Sequence, residues 1–360
     1  MAGGEVLGDE GGSHQALDPI GAAGAGRPVR SGSRRRGFRY RPPVETELDD
    51  EVVVVGGGVT GLTTAVVLAE RGRRVRLWTR DPVERTTSVV AGGLWWPYRI
   101  EPVALAQAWA LRSLDVYEDL AARPAETGVR MVEGVLGETR PEEVGAWASA
   151  RLPGLRAARA EEYAGPGLWA RLPLIDMSTH LPWLRERLVA AGGVVETRPV
   201  AGLAEADAPV VVNCTGLGAR ELVPDPAVRP VRGQLVVVEN PGIRTWLVSA
   251  DAGSGETTYF LPQPGRLLLG GTAEEDAWST DPDPRIAEAI VRRCAELRPE
   301  IAGARVLGHL VGLRPARDAV RLERETLPDG RLLVHNYGHG GAGVTVAWGC
   351  AEEAAGLATP

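Results

Sequence analysis

"EVVVVGGGVTGLTTAVVLAERGRRVRLWTRD", Glu51–Asp81, decides the fold. Four consecutive valines without polar alternation mark a strand buried on both faces. A glycine cluster, an alanine- and leucine-rich helical pattern and a second strand follow, so the segment is a βαβ unit. Gly56, Gly58 and Gly61 form GxGxxG where the first strand passes into the helix. That spacing permits a tight turn at the first glycine, close approach of backbone to a pyrophosphate at the second, and close helix packing at the third. The helix N-terminus then meets the phosphate charge. In this context the motif predicts a dinucleotide site. It leaves the dinucleotide open: Asp81 suits an adenosine ribose, Arg80 would accept a 2′-phosphate, and the glycines do not choose between FAD and a nicotinamide.

Upstream of this unit, residues 1–50 are rich in glycine, serine, arginine and proline without periodicity, and are expected to form a disordered extension. Downstream, "VVETRPVAGLAEADAPVVVNCTGLG" holds two more strands, of which "PVVVN" again reads as buried on both faces. The texture then changes. "VRGQLVVVEN" and "TTYFLPQPGRLLLGGT", with Pro264 and Gly265 at a turn, read as antiparallel strands. "DPRIAEAIVRRCAELRP" predicts an amphipathic helix and "VTVAWGCAEEAAGL" a final helix opened by glycine.

Composition narrows the function. The chain has 360 residues, 44% hydrophobic content and a net charge of −7, enough to bury one large core or two smaller ones. It contains no lysine: every basic side chain is arginine, scattered among acids, with one dense run in "RSGSRRRGFRYR". That argues against a nucleic-acid partner. Pyridoxal-phosphate enzymes and P-loop NTPases need a lysine, so both classes drop out. Cys214, Cys294 and Cys350 lie far apart with no CxxC spacing, which suggests neither a zinc ribbon nor a disulfide framework. No apolar run approaches the roughly 20 residues of a membrane helix, and the segment after Arg34–Arg36 lacks the apolar core of a twin-arginine signal. The expected location is cytoplasmic, without a membrane partner; a homodimer is compatible with the sequence but not fixed by it.

Near the C-terminus, "HNYGHGGAGVTVAWGC" (His335–Cys350) packs glycines and two histidines ahead of an apolar stretch. Either the histidines hold a metal or the glycines form a loop whose backbone must touch a ligand. His335 and His339 end a strand and have no third ligand at metal spacing nearby, so packing and loop hydrogen bonds are the default and no metal is expected.

Together with the βαβ unit, four stretches resemble the D-amino-acid oxidase family of flavoproteins: "AGGLWWPY" (Ala91–Tyr98), "VVNCTG" (Val211–Gly216), "VGLRPARDAVRLERE" (Val311–Glu325) and "HNYGHGGAGVT". With "RGQ" and "YFLPQ" between them, the match runs from about Glu51 to the C-terminus. The fold class this implies is α/β, a FAD-binding Rossmann-like doubly wound domain interleaved with an antiparallel-sheet substrate-binding domain. Residues 51–103, 175–225 and 300–360 are expected in the first and 104–174 and 226–299 in the second. The resemblance implies FAD as cofactor and a D-amino acid and O2 as small-molecule partners: the amino acid is oxidised to an imino acid, O2 yields H2O2, and water converts the imino acid to a 2-oxo acid and ammonia. It implies Gly56, Gly57, Gly58, Val59 and Gly61 at the pyrophosphate, Arg80 and Asp81 near the adenosine, and Thr86, Thr87 and Ser88 beside the phosphates. Gly92, Gly93 and Leu94 would run along the isoalloxazine, with Val200 and Thr215 on the adenine side. Gly340, Gly341, Ala342, Gly343, Val344 and Thr345 would face the flavin's N1 and C2 carbonyl, where N–H groups at a helix N-terminus stabilise the anionic reduced ring.

For the substrate, Arg314 in "GLRPAR" resembles the family's carboxylate fork, at the edge of the flavin, since planar guanidinium donors meet both oxygens at once. Tyr259 resembles the tyrosine that donates to the same carboxylate, and the carbonyl of Gly341 the acceptor for the amine. Catalysis would then rest on positioning for hydride transfer from Cα to flavin N5, without a general base. The alternative for an arginine in a strand is a surface ion pair, which Arg317, Arg321 and Arg324 with Asp318, Glu323 and Glu325 would supply. Of Trp95 and Trp96, only Trp96 is expected at the pocket. "SADAGSGETT" (Ser249–Thr258) stands where family members carry a lid with a second tyrosine, and it offers only small and polar residues. It also lacks the extra arginine expected near Ser249 or Ala250 in D-aspartate oxidases, so neutral D-amino acids are the expected substrates. A flavin dehydrogenase, a glycine/sarcosine-type oxidase or a D-aspartate oxidase on the same scaffold, a nicotinamide-dependent reductase and a catalytically silent flavoprotein are the competing readings.

Overall fold

The computed structural model describes residues 50–250 and 257–359. Apart from residue 50, the expected N-terminal extension lies outside them, as do residues 251–256 of the lid position. The βαβ unit forms as expected: strand β1 (Glu51–Val55), helix α1 (Val59–Glu70) and strand β2 (Arg74–Thr79). Two further strands, β6 (Val194–Thr197) and β7 (Val210–Asn213), and the late β14 (Leu332–His339) complete a parallel set in the order β14-β7-β1-β2-β6. Alternation along these strands explains why their sequences are apolar throughout. Val52, Val54, Leu77, Val212 and Val334 enter one core, while Val53, Val55, Trp78, Val211 and Leu333 enter another on the opposite face.

Helices α2 (Val103–Leu120), α3 (Met177–Ala190) and α5 (Gly343–Leu357) gather with α1 over the first of these cores. Helix α5 is the final helix read from the sequence. Tyr117 of α2 ties to its first turn by donating to the Val344 carbonyl at 2.8 Å. The amphipathic helix is α4 (Pro284–Leu297): Asp283 caps it by accepting from the Arg285 N–H at 2.8 Å, and Ala287, Ile290 and Cys294 form its buried stripe.

The antiparallel part contains β3 (Val129–Gly137), β4 (Arg156–Ala157), β5 (Gly167–Ile175), β8 (Arg229–Glu239), β9 (Trp246–Ala250), β10 (Thr257–Gln263), β11 (Arg266–Gly270), β12 (Glu274–Glu275) and β13 (Val306–Thr326). Its order is β4-β5-β3-β9-β10-β11-β8-β13, with β12 beside β8 and β3–β9 the one parallel pair among them. β10 and β11 form the expected hairpin, turning at Gly265. Phe260 of β10 faces α4 with Val236 and Leu269, which leaves Tyr259, Leu261 and Gln263 on the other face.

Both parts belong to one sheet. β13 spans 21 residues, pairing with β8 from Val306 to Ala316 and with β14 at Ala316 and from Arg321 onward. Between those stretches its register shifts, and there the Val320 N–H donates to the Glu101 carbonyl at 2.8 Å.

Candidate active site

The glycine-rich end of the candidate site is built at the carboxyl edge of β1. Gly56 has φ +118°, a backbone conformation that L side chains rarely adopt, and a Cβ there would lie 2.6 Å from the Cys214 carbonyl carbon. Gly57 packs on Thr79 and Gly61 against the Gly56 backbone. Gly58 caps α1 without a side chain, and no acid stands in the first turn. The Val59 N–H is taken instead by the Ser88 hydroxyl at 2.9 Å, which places Ser88 at the helix N-terminus. Thr86 and Thr87 precede it in the same turn. A side-chain-free, acid-free helix end beside a hydroxyl fits a phosphate group.

Just beyond β2, Asp81 holds Arg80, Nε to Oδ2 2.8 Å, and the arginine is 81% exposed. Thr215 is fixed by Asn213, whose Oδ1 accepts from its N–H at 3.2 Å and its hydroxyl at 2.7 Å. The Asn213 amide in turn lies 3.3 Å from His335 Nδ1, which must therefore accept, leaving Nε2–H facing Glu325 Oε1 at 3.3 Å. His335 is thus held through Nδ1, with Nε2 beside the Glu325 carboxylate, and burial lowers its pKa. His339 is buried as well, and desolvation pushes it down to about 4. Val200 packs against the core cluster that includes Val53 and Trp78.

Two loops meet at the other end. Gly93, with φ +80°, lets its segment lie on β5: its carbonyl accepts from the Ile175 N–H at 2.9 Å, Leu94 bridges Leu174, and the Trp95 N–H donates to the Pro173 carbonyl at 2.9 Å. Gly92 lies close to Leu261. The second loop, Gly340–Ala342, turns directly into α5 at Gly343. Thr345 joins the two, donating to the Trp96 carbonyl at 3.0 Å and accepting from its N–H at 3.3 Å. The Trp96 ring is half-buried, 5.9 Å from that of Trp147. Trp95 is core, its indole N–H donating to the Ala110 carbonyl at 3.1 Å.

Arg314, Tyr259 and Gly341 come together beside these loops. Arg314 on β13 donates through Nη1 to the Thr272 carbonyl at 2.9 Å, and its Cδ lies 3.6 Å from where a Gly341 Cβ would stand. Tyr259 lies over the Gly270–Gly271 backbone. Burial raises its pKa, and the Arg314 charge opposes that shift. The phenol therefore keeps its proton, and it is a donor, at neutral pH. Of the arginine ion pairs expected nearby, Arg321 does hold Glu323 and Glu325, but Asp318 pairs with Arg229 and Arg317 with Asp225.

Three contributors carry no signal in the sequence. Gln263, 3% exposed, donates through Nε2 to the carbonyls of Gly92 (3.3 Å) and Ile175 (3.1 Å) while its Oε1 accepts from Arg130 at 3.0 Å. Tyr98 approaches Gly341, its Cδ1 3.9 Å from the Cβ position. Asn213 positions Thr215 as described. The patterns "YFLPQ", "WWPY" and "VVN" contain all three, but what each touches is set by partners far along the chain.

With this geometry in hand, comparison with known proteins is specific. The family described as FAD dependent oxidoreductase matches residues 51–357. A D-amino-acid oxidase of Streptomyces coelicolor is 87% identical over 320 residues, covering 88% of this chain and 100% of that protein. A D-amino-acid oxidase of Rubrobacter xylanophilus is 50% identical, covering 85% and 95%. Among solved structures, a glycine oxidase from Geobacillus kaustophilus superposes with a TM-score of 0.71 at 21% identity, covering 85% of this chain and 94% of that one, a likeness of fold alone. The chain belongs to the FAD-dependent oxidoreductase family, and FAD is its cofactor.

Proposed function

We propose that the chain is a D-amino-acid oxidase that converts neutral D-amino acids and O2 to imino acids and H2O2, the imino acid hydrolysing to a 2-oxo acid and ammonia. Arg314, which lies against Gly341 and beside Tyr259, carries this reading, with the relatives at 87% and 50% identity in support. Arg314 pairs with the substrate carboxylate and Tyr259 donates its hydroxyl to the same group. The Gly341 carbonyl accepts from the amine, and Trp96 lines the side-chain space. FAD, when bound, accepts the two electrons and the Cα hydrogen and passes them to O2. Burial keeps the Tyr259 phenol protonated, so it does not serve as a base at Cα, and the protein's contribution is orientation.

The glycine-rich end of β1, with Val59 and Ser88, would hold the pyrophosphate, and Arg80, Asp81, Val200 and Thr215 the adenosine. Gly92–Leu94 and Gly340–Thr345 would flank the isoalloxazine. In this reading residues 51–103, 175–225 and 300–360 form the FAD-binding domain and 104–174 and 226–299 the substrate-binding domain, which the change from parallel to antiparallel pairing supports. Three buried free cysteines suit a reducing, cytoplasmic compartment. No helix among the described residues is long and apolar enough to cross a membrane.

Anaerobic mixing of the holoenzyme with D-alanine, D-valine and D-methionine, followed by air and a peroxide assay, tests the proposal. Bleaching of the flavin by D-isomers, with peroxide on reoxidation, is the expected result. Bleaching by glycine or sarcosine alone would replace it with a glycine/sarcosine-type oxidase, and no peroxide on reoxidation would make the enzyme a dehydrogenase.

A further inference from the structure

The two side chains assigned to the substrate carboxylate rest on bare backbone. Gly233 of β8 is buried and pairs with Gly312 across the β8–β13 ladder. A Cβ built on Gly233 would stand 2.5 Å from both Cζ and Nη1 of Arg314 and nearer still to Nη2, and these are its three closest neighbours. Ordinary carbon contacts begin near 3.5 Å. Any side chain at this position would therefore displace the guanidinium by about an ångström. Its neighbours on β8 point the other way: Arg232 holds Glu274 at 2.6 Å, and the Gln234 amide donates to the Asp283 carbonyl at 2.8 Å.

We propose that Gly233 is a positioning residue for carboxylate recognition: the absence of a side chain lets the Arg314 guanidinium lie on β8, at the height its bond to the Thr272 carbonyl requires. Gly270 and Gly271 form the matching floor for Tyr259, whose hydroxyl lies 2.8 Å from a Cβ position on Gly271. The proposal rests on the reading of Arg314 as the carboxylate ligand.

Gly233→Ala, Arg314→Ala and the double variant, each as holoenzyme, separate the two. Flavin content, the Kd of propionate read from the flavin absorbance, and D-alanine kinetics are measured. Gly233→Ala should raise the propionate Kd and the D-alanine KM about 10- to 100-fold per bound flavin, an effect that a loss of packing alone would not produce. In the Arg314→Ala background the colliding atoms are gone, so adding Gly233→Ala should change nothing further. If Gly233→Ala alone does not fold, the double variant should fold and hold flavin. Wild-type propionate binding by Gly233→Ala, additive losses in the double variant, or a double variant that also fails to fold would each overturn the role of Gly233. Wild-type binding by Arg314→Ala would instead remove the carboxylate assignment, and the floor with it.

Discussion

Replacing Gln263 by leucine should weaken the hold on FAD while leaving the chain folded. The side chain is 3% exposed, and its amide donates to the carbonyls of Gly92 and Ile175, so it pins the Gly92–Leu94 segment to strands β5 and β10. Leucine is close in volume, so no large cavity opens. Three buried hydrogen bonds are lost, the one from Arg130 included; the two that hold the segment are worth about 0.5–1.5 kcal/mol each, about 1–3 kcal/mol together. On the proposed placement of the isoalloxazine against it, the freed segment must be ordered again when FAD binds, so much of that loss should appear in cofactor affinity, as a rise of about 10- to 100-fold in Kd. Diluting the holoenzyme and separating free from bound flavin by ultrafiltration reads the Kd directly. Gln263→Glu keeps an acceptor for Arg130 and removes only the amide donor, so it should lose flavin as well. A leucine variant whose FAD Kd stays within twofold of wild type would refute the reasoning.

Ser88→Ala removes the acceptor for the Val59 N–H and should lower stability by about 0.5–2 kcal/mol, seen as a lower denaturation midpoint with parallel loss of flavin. His180 and His339 are both pushed by burial to about 4, below the 6.5 of an exposed imidazole. The unfolded chain therefore binds more protons between those values: the contribution is complete above pH 6.5 and is lost as pH falls towards 4, by roughly 3 kcal/mol per histidine. Urea midpoints at pH 7 and pH 5 should differ accordingly, and a His339→Asn variant should show a shallower dependence; equal midpoints in the parent would discard the argument. For substrates, kcat/KM for D-alanine, D-valine and D-methionine should each exceed that for D-aspartate, and the reverse order would overturn the neutral preference.

What was legible from the chain follows from how local each determinant is. The run Val52–Val55 announces a doubly buried strand because both of its faces meet hydrophobic cores, and Gly56, Gly58 and Gly61 sit within six residues of one another, so the turn and the helix start are read together. Arg314 and Tyr259 were reached through motif resemblance, and the structure brings them to one place. Gln263 was not legible: the carbonyl it holds at Gly92 lies 171 residues away. Gly233 was hidden for the same reason, since a glycine in "RGQ" looks like any strand glycine until Arg314 is laid across it from the neighbouring strand.

Strand β13 has a mechanical consequence. Being hydrogen-bonded to β8 along one stretch and to β14 along another, it makes the parallel and antiparallel parts of the sheet a single ladder. A hinge closing one half upon the other would have to tear a row of main-chain bonds, and the Val320–Glu101 link at the register shift resists bending at the natural weak point. Access for a substrate must then come from loop and side-chain movement at the rim, over a base that stays rigid. In amide exchange the β8–β13 bonds should open only with global unfolding, whether or not substrate is turning over.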